Sequence, residues 1–208
     1  MAALLDLLFP SNCVVCERSP LLVCPGCLPT PVPRTQRLSG LELFFALDLE
    51  GSAERLISGY KDQTKLALAR YLAAYLDEAL AQLGQTPQQL AFPPSSRANF
   101  SRRGYNPVAV VCSKSRLVGG LPQVKVKLKR QTIDQRSLGA KQREENLQGA
   151  FEIELGKGQV MIIDDVVTTG ATAQSLAKEL ERAGYEVTGI CAIARRNQML
   201  LTSQIKKA

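Results

Sequence analysis

Histidine is absent from the 208 residues. That removes the commonest general base and the commonest zinc ligand after cysteine. No apolar run approaches the length needed to cross a bilayer. The first ten residues are apolar but hold Asp6 and no basic residue. A secretory signal wants a basic start and a small-residue cleavage site, so this stretch reads as a short amphipathic helix of a cytoplasmic protein without membrane insertion. Internal repeats and low-complexity tracts are lacking as well. What is left is an ordinary globular composition, 45% hydrophobic and 22% charged, in a chain long enough for one full domain and a small appendage.

Charge is present but uneven. The net value is +7. Residues 97–145 carry twelve Lys or Arg against three Asp or Glu, a local balance of +9, so the remainder is slightly acidic. A concentration of positive charge suits a polyanion such as pyrophosphate or nucleic acid; a solvated basic surface has the same composition.

Four of the six cysteines fall early, as Cys13-x-x-Cys16 and Cys24-x-x-Cys27. Two such knuckles can clamp the two sides of a tetrahedral Zn²⁺, with Pro20 and Gly26 helping the tight turns between ligands. Disulfides or unliganded thiols are the other states open to these residues, and disulfides are disfavoured without a secretory signal. With no open ligand position and no base nearby, the metal site is expected to be structural. Residues 1–35 form this module and 36–208 the main domain, with the proline-rich stretch 29–34 as linker. Cys112 and Cys191 sit in apolar contexts and read as packing residues.

Along the main domain, 41–49 is an apolar strand or hairpin. Residues 52–83 show helical periodicity with a break near 62–64, which predicts two helices. The short apolar run 90–92 predicts a buried strand, and 107–118 a helix with Asn106 as N-cap and Pro107 in the first turn. Residues 124–128 and 150–155 alternate as half-exposed strands do. Between them, 130–149 is polar with few core candidates, a length that points to function or mobility. Residues 159–164 predict a buried strand, 172–184 a helix and 186–194 a last strand, with a frayed tail from Asn197. Strand, loop, helix and strand in the last third make a βαβ unit, and hence a parallel sheet.

The densest chemistry lies in 160–172. Four apolar residues lead to Asp164 and Asp165, where the strand is expected to end. Thr168, Thr169, Gly170, Ala171 and Thr172 then open the helix. A helix N-terminus offers unpaired N–H groups and the positive end of a dipole to a phosphate. Glycine lets the backbone come close, and threonine hydroxyls add donors. Two carboxylates repel phosphate but suit ribose hydroxyls. Ligands of open α/β sheets sit at the carboxyl ends of the strands.

This segment resembles the 5-phosphoribosyl-1-pyrophosphate (PRPP) motif of type I phosphoribosyltransferases. The resemblance implies a parallel sheet flanked by helices with a flexible hood. It gives ribose contacts to Asp164 and Asp165, and 5-phosphate contacts to Thr168, Thr169, Gly170, Ala171 and Thr172. Three further segments, Leu56-Ile-Ser-Gly-Tyr-Lys61, Phe92-Pro-Pro-Ser-Ser-Arg97 with Arg103-Gly-Tyr-Asn-Pro107, and Arg130 to Gln135 leading to Arg143-Glu-Glu-Asn-Leu-Gln-Gly-Ala-Phe151, add to the four-cysteine module. Together they resemble the ComF family of competence-associated, phosphoribosyltransferase-like proteins over nearly the whole chain.

On that footing Lys61, Arg97, Arg102 and Arg103 are candidates to neutralise a pyrophosphate, because guanidinium matches phosphate oxygens. Residues 130–149 are the candidate hood, with Arg130, Gln135, Arg143 and Asn146 as contacts. Mg²⁺ is expected to accompany PRPP, bridging its pyrophosphate and keeping many waters. Two functional classes remain: transfer of a phosphoribosyl group, or handling of single-stranded DNA with competence-machinery partners and no turnover. A PRPP-sensing regulator is a third. The sequence names no acceptor.

Overall fold

A computed structural model of the chain describes residues 12–18, 20–129 and 149–196. In chain order the elements are β1 (Arg34–Leu38), β2 (Leu41–Asp48), α1 (Gly51–Lys61), α2 (Ala69–Leu80), β3 (Gln89–Ala91), α3 (Arg97–Arg103) and α4 (Pro107–Cys112). Then follow β4 (Val126–Leu128), β5 (Phe151–Ile153), β6 (Gln159–Val167), α5 (Ala171–Arg182) and β7 (Glu186–Arg195).

Five strands make one sheet in the order β1-β2-β7-β6-β3. The pairs β2·β7, β6·β7 and β3·β6 are parallel, and only β1 runs against its neighbour. The antiparallel pair β4·β5 stands apart. Alternation along the central strands divides the core in two. Phe44, Ala46, Met161, Ile163, Cys191 and Ile193 face α1, α2 and α4, where Leu56, Tyr60, Leu72 and Leu76 are fully buried. Leu43, Phe45, Val160, Ile162, Ile190 and Ala192 face α5 and the β4·β5 pair. This is the expected α/β fold, a mainly parallel sheet between helical layers. Among the described residues no helix is long and apolar enough to cross a membrane.

Besides α3, which falls in 93–103 where the sequence reads as a loop, three elements depart from the sequence expectation. First, the linker is expected to end at Arg34 and 35–38 carries no expected element, yet 34–38 is a strand. Leu38 pairs with Leu41 across a two-residue turn in which Ser39 and Gly40 both have positive φ, 49° and 91°, the geometry that matches strand twist in a hairpin. Second, the helix expected over 107–118 stops at Cys112. Buried Asp77 of α2 accepts hydrogen bonds from Ser115 Oγ and from the amides of Arg116 and Leu117, and these pull the chain off the helical path. Third, β6 does not end at Asp164. Its pairing with β7 continues through Val167 opposite Arg195.

The cysteine module packs into the first core half. Cys13, Val15 and Val23 are buried in one cluster with Leu56 and Ile57 of α1. Arg55 Nη1 donates to the Val15 carbonyl at 2.6 Å, and Tyr75 Oη to that of Pro29 at 2.7 Å.

Candidate functional site

The site forms at the carboxyl ends of the parallel strands. β6 carries Asp164 and Asp165 in its last turns of pleat, and Thr168 to Gly170 link it to α5. Gly170 sits just before the helix with φ 81°, in the left-handed region that costs residues with a Cβ about 1–2 kcal/mol. A Cβ there would also meet Leu38 Cδ2 at 2.3 Å, so the β1–β2 hairpin closes over the loop where glycine leaves space. The loop is partly organised already. Thr169 Oγ1 accepts from the Ala171 amide at 3.3 Å, and the Gly170 carbonyl from Gln174 N at 2.9 Å. Thr168, Thr169, Ala171 and Thr172 are all half-buried. The structure therefore places the five loop residues directly after the strand that carries the two aspartates, at the N-terminus of α5.

The two aspartates have different surroundings. Asp165 is buried, and its Oδ2 lies 2.7 Å from Lys61 Nζ. Asp164 Oδ1 accepts from the Asp165 amide at 2.9 Å. Burial, reinforced by the charge of Asp165 and opposed by Lys61, pushes the Asp164 carboxyl from the ordinary 3.8 up to about 8. The raised pKa favours the protonated Asp164, a form that can donate a hydrogen bond as well as accept one.

Lys61 reaches this pair because it ends α1, whose buried face (Ala53, Leu56, Ile57, Tyr60) lies on the same side of the sheet as Asp165. Tyr60 donates to the Pro107 carbonyl at 2.8 Å, and burial pushes its hydroxyl pKa up. The arginines read as anion ligands have structural partners as well. Arg103, only 5% exposed, points Nη2 at Asp62 Oδ1 at 3.6 Å and donates from Nε to the Lys61 carbonyl at 2.8 Å. Arg102, half exposed, lies 3.7 Å from the same Asp62 oxygen. Asn106 caps α4 as expected and donates to the Pro93 carbonyl at 3.2 Å. Arg97 opens α3, and its side chain lies outside the described residues, as do Arg130, Gln135, Arg143 and Asn146.

Two buried polar atoms among the described residues have no hydrogen-bond partner, Tyr105 Oη and Arg195 Nη1. Both belong to segments bordering the site. Tyr105 follows α3, and Arg195 lies beside Val167, just before the threonine loop. An unsatisfied buried donor costs about 1–3 kcal/mol, a cost that an ordered water or a bound ligand removes. Sequence reasoning passed over Arg195; its signal was a cation closing the apolar run 190–194.

The four N-terminal cysteines come together. Their Sγ atoms all lie within 4.8 Å of one another, and Cys16 and Cys24 sulfurs are 3.7 Å apart. Tetrahedral Zn²⁺ with Zn–S bonds of about 2.3 Å sets sulfurs about 3.8 Å apart, whereas a disulfide needs about 2.04 Å. The four thiols are free. Burial raises the pKa of Cys13, but amides of Cys16, Cys24 and Val15 outweigh it and bring the thiol to about 6, in the range where thiolate forms for a metal. The donor set fits a structural metal such as zinc.

The chain is similar to curated relatives over most of its length. Competence protein F of Haemophilus influenzae is 30% identical over 152 residues, 67% of this chain and 66% of the relative. DNA utilization protein YhgH of Escherichia coli K12 is 31% identical over 179 residues, 84% of this chain and 78% of the relative. A 50-residue stretch is 44% identical to orotate phosphoribosyltransferase of Nitratiruptor, covering 24% of each chain. Among solved structures, adenine phosphoribosyltransferase from Leishmania donovani aligns at 14% identity and a TM-score of 0.46, over 84% of this chain and 80% of that one. No protein-family model matches. The extent and identity of the YhgH match, with that to competence protein F, place the chain in the ComF family.

Proposed function

We propose that the chain binds Mg-PRPP or a related nucleotide at the carboxyl end of β6, in the service of DNA uptake. One observation carries this reading: Asp164 and Asp165 stand two residues before a threonine loop whose Gly170 has φ 81° at the start of α5. That layout supplies acceptors and a donor for ribose hydroxyls, and helix amides for the 5-phosphate. Lys61, Arg102, Arg103 and Arg97 are the cations for the pyrophosphate, and residues 130–149 the hood. Mg²⁺ bound with the pyrophosphate would offset part of its charge and would ask few ligands of the protein. The unsatisfied Tyr105 and Arg195 atoms support a ligand in this region.

The reaction this site suits is displacement at the ribose anomeric carbon. An acceptor's electron pair forms the new bond as the bond to pyrophosphate breaks, and that bond's electrons leave with the pyrophosphate. The protein's share is to hold the ribose and stabilise the departing charge. Residues 1–35 serve as a zinc-bearing structural module, and the protein works in the cytoplasm.

A second reading, single-stranded DNA handling without turnover, is favoured by the names of the relatives and by the +9 balance of 97–145. Thermal unfolding with Mg²⁺ and millimolar PRPP separates the two. A rise in melting temperature that disappears in Asp164→Asn/Asp165→Asn supports the PRPP site. No rise, together with DNA binding that weakens steeply with salt, supports the DNA reading and removes the first.

A further inference from the structure

Two demands fall on the side chain of Lys61. Its ammonium is 2.7 Å from Asp165 Oδ2, and 23% of the lysine and 7% of the aspartate side chain are exposed. An ammonium at this distance occupies that oxygen and neutralises the carboxylate. A ribose hydroxyl that is to use Asp165 must therefore contend with Lys61.

The backbone beneath Lys61 is anchored. Its carbonyl accepts from Arg103 Nε at 2.8 Å, and the next residue, Asp62, faces both arginines of α3. The end of α1 is thus fastened to the helix that leads out of 93–96. The long flexible stem of lysine lets the ammonium swing from this fixed root, toward Asp165 or toward an anion lying against α3.

We propose that Lys61 is a specificity-determining residue that exchanges from Asp165 to the pyrophosphate of the incoming ligand, so that the site selects PRPP over ribose 5-phosphate. The inference rests on Asp165 as a ribose contact. A ligand with a pyrophosphate takes the carboxylate from Lys61 and gives it a new anionic partner. A ligand without one leaves a half-buried ammonium unpaired, which is unfavourable. The ion pair therefore acts as a filter against the sugar phosphate that remains after pyrophosphate is lost. It works without a moving backbone segment.

Isothermal titration of the full chain with ribose 5-phosphate and, separately, with Mg-PRPP tests this. In Lys61→Met, ribose 5-phosphate is expected to bind about threefold to fivefold more tightly, the scale of releasing a partly exposed ion pair. PRPP is expected to bind about tenfold or more weakly, the scale of one lost bond to a charged group. Lys61→Gln gives the same signs if Lys61→Met does not fold, and Lys61→Arg keeps the original order of the two ligands. If the neutral variants weaken both ligands by one factor, or leave ribose 5-phosphate unchanged, the exchange is overturned while the ribose site stands. If the unaltered chain binds neither ligand, the ribose site itself is overturned, and the exchange with it.

Discussion

Replacing Gly170 by alanine tests how the phosphate loop is built. Two separable effects oppose the methyl group. The first is conformational: φ is 81°, and holding a residue with a Cβ in that region costs about 1–2 kcal/mol. The second is contact: the new Cβ would lie 2.3 Å from Leu38 Cδ2 and 3.1 Å from its Cγ. Leu38 is a flexible side chain on the β1–β2 hairpin, so it can yield by leaving its preferred rotamer at about 1 kcal/mol. Together the substitution is expected to cost about 2–3 kcal/mol, or about 5–10 °C in melting temperature for a chain of this size. Urea unfolding of the wild type, Gly170→Ala, Leu38→Ala and the double variant closes a double-mutant cycle. In the Leu38→Ala background the contact disappears and only the conformational part remains, so a coupling of about 1 kcal/mol is expected. Equal cost of Gly170→Ala in both backgrounds would refute the closing of the hairpin over the loop, and no cost in either would refute the left-handed conformation.

Asp77→Ala should lower stability by about 2–3 kcal/mol in urea unfolding, because Ser115 Oγ and two amides lose their acceptor; a change within experimental scatter would show that turn to be held by other contacts. Asp164 holds its proton up to about pH 8 when folded, against 3.8 ordinarily. Between those values the native state keeps a proton that the unfolded state has lost, so the contribution of this carboxyl is full below pH 4 and is lost as pH rises toward 8. Urea midpoints measured at pH 5 and pH 8 should show that fall in the wild type and much less of it in Asp164→Asn; an unaltered slope in the variant would assign the effect elsewhere. Cys16→Ser should reduce zinc measured by atomic absorption, and a chelator should lower the melting temperature of the wild type more than that of the variant. Full zinc content in the variant would exclude Cys16 as a ligand.

What could be read from the sequence was local. The βαβ unit around β6 announces itself through an apolar run, a hydroxyl-rich turn and a periodic helix, all contiguous. The cysteine cluster is equally local, since the pair spacing sets the knuckle geometry. The features that were misread or missed depend on partners far along the chain. β1 is polar and exposed, and it is a strand only because β2 pairs with it through a Ser-Gly turn. The shortened α4 depends on Asp77, nearly forty residues earlier. Arg103 is legible in the sequence as a cation, but not the bond from its Nε to the Lys61 carbonyl, more than forty residues earlier. The hairpin residue Leu38 gives no hint in the sequence that it lies against Gly170.

The cysteine module has a ligand cluster of its own but no core of its own. Its buried residues, Cys13, Val15 and Val23, share a cluster with Ala53, Leu56 and Ile57 at the start of the helix that ends in Lys61. Val14 also lies 3.3 Å from where a Cβ on Gly59 would stand. Truncating the chain at residue 36 would therefore do more than discard a bead from a string. It would strip the cover from an apolar helix face and leave a sticky patch on the helix whose end pairs with Asp165. If the four thiolates hold zinc, its loss would act by the same route: the seam would loosen, and self-association would be the first symptom.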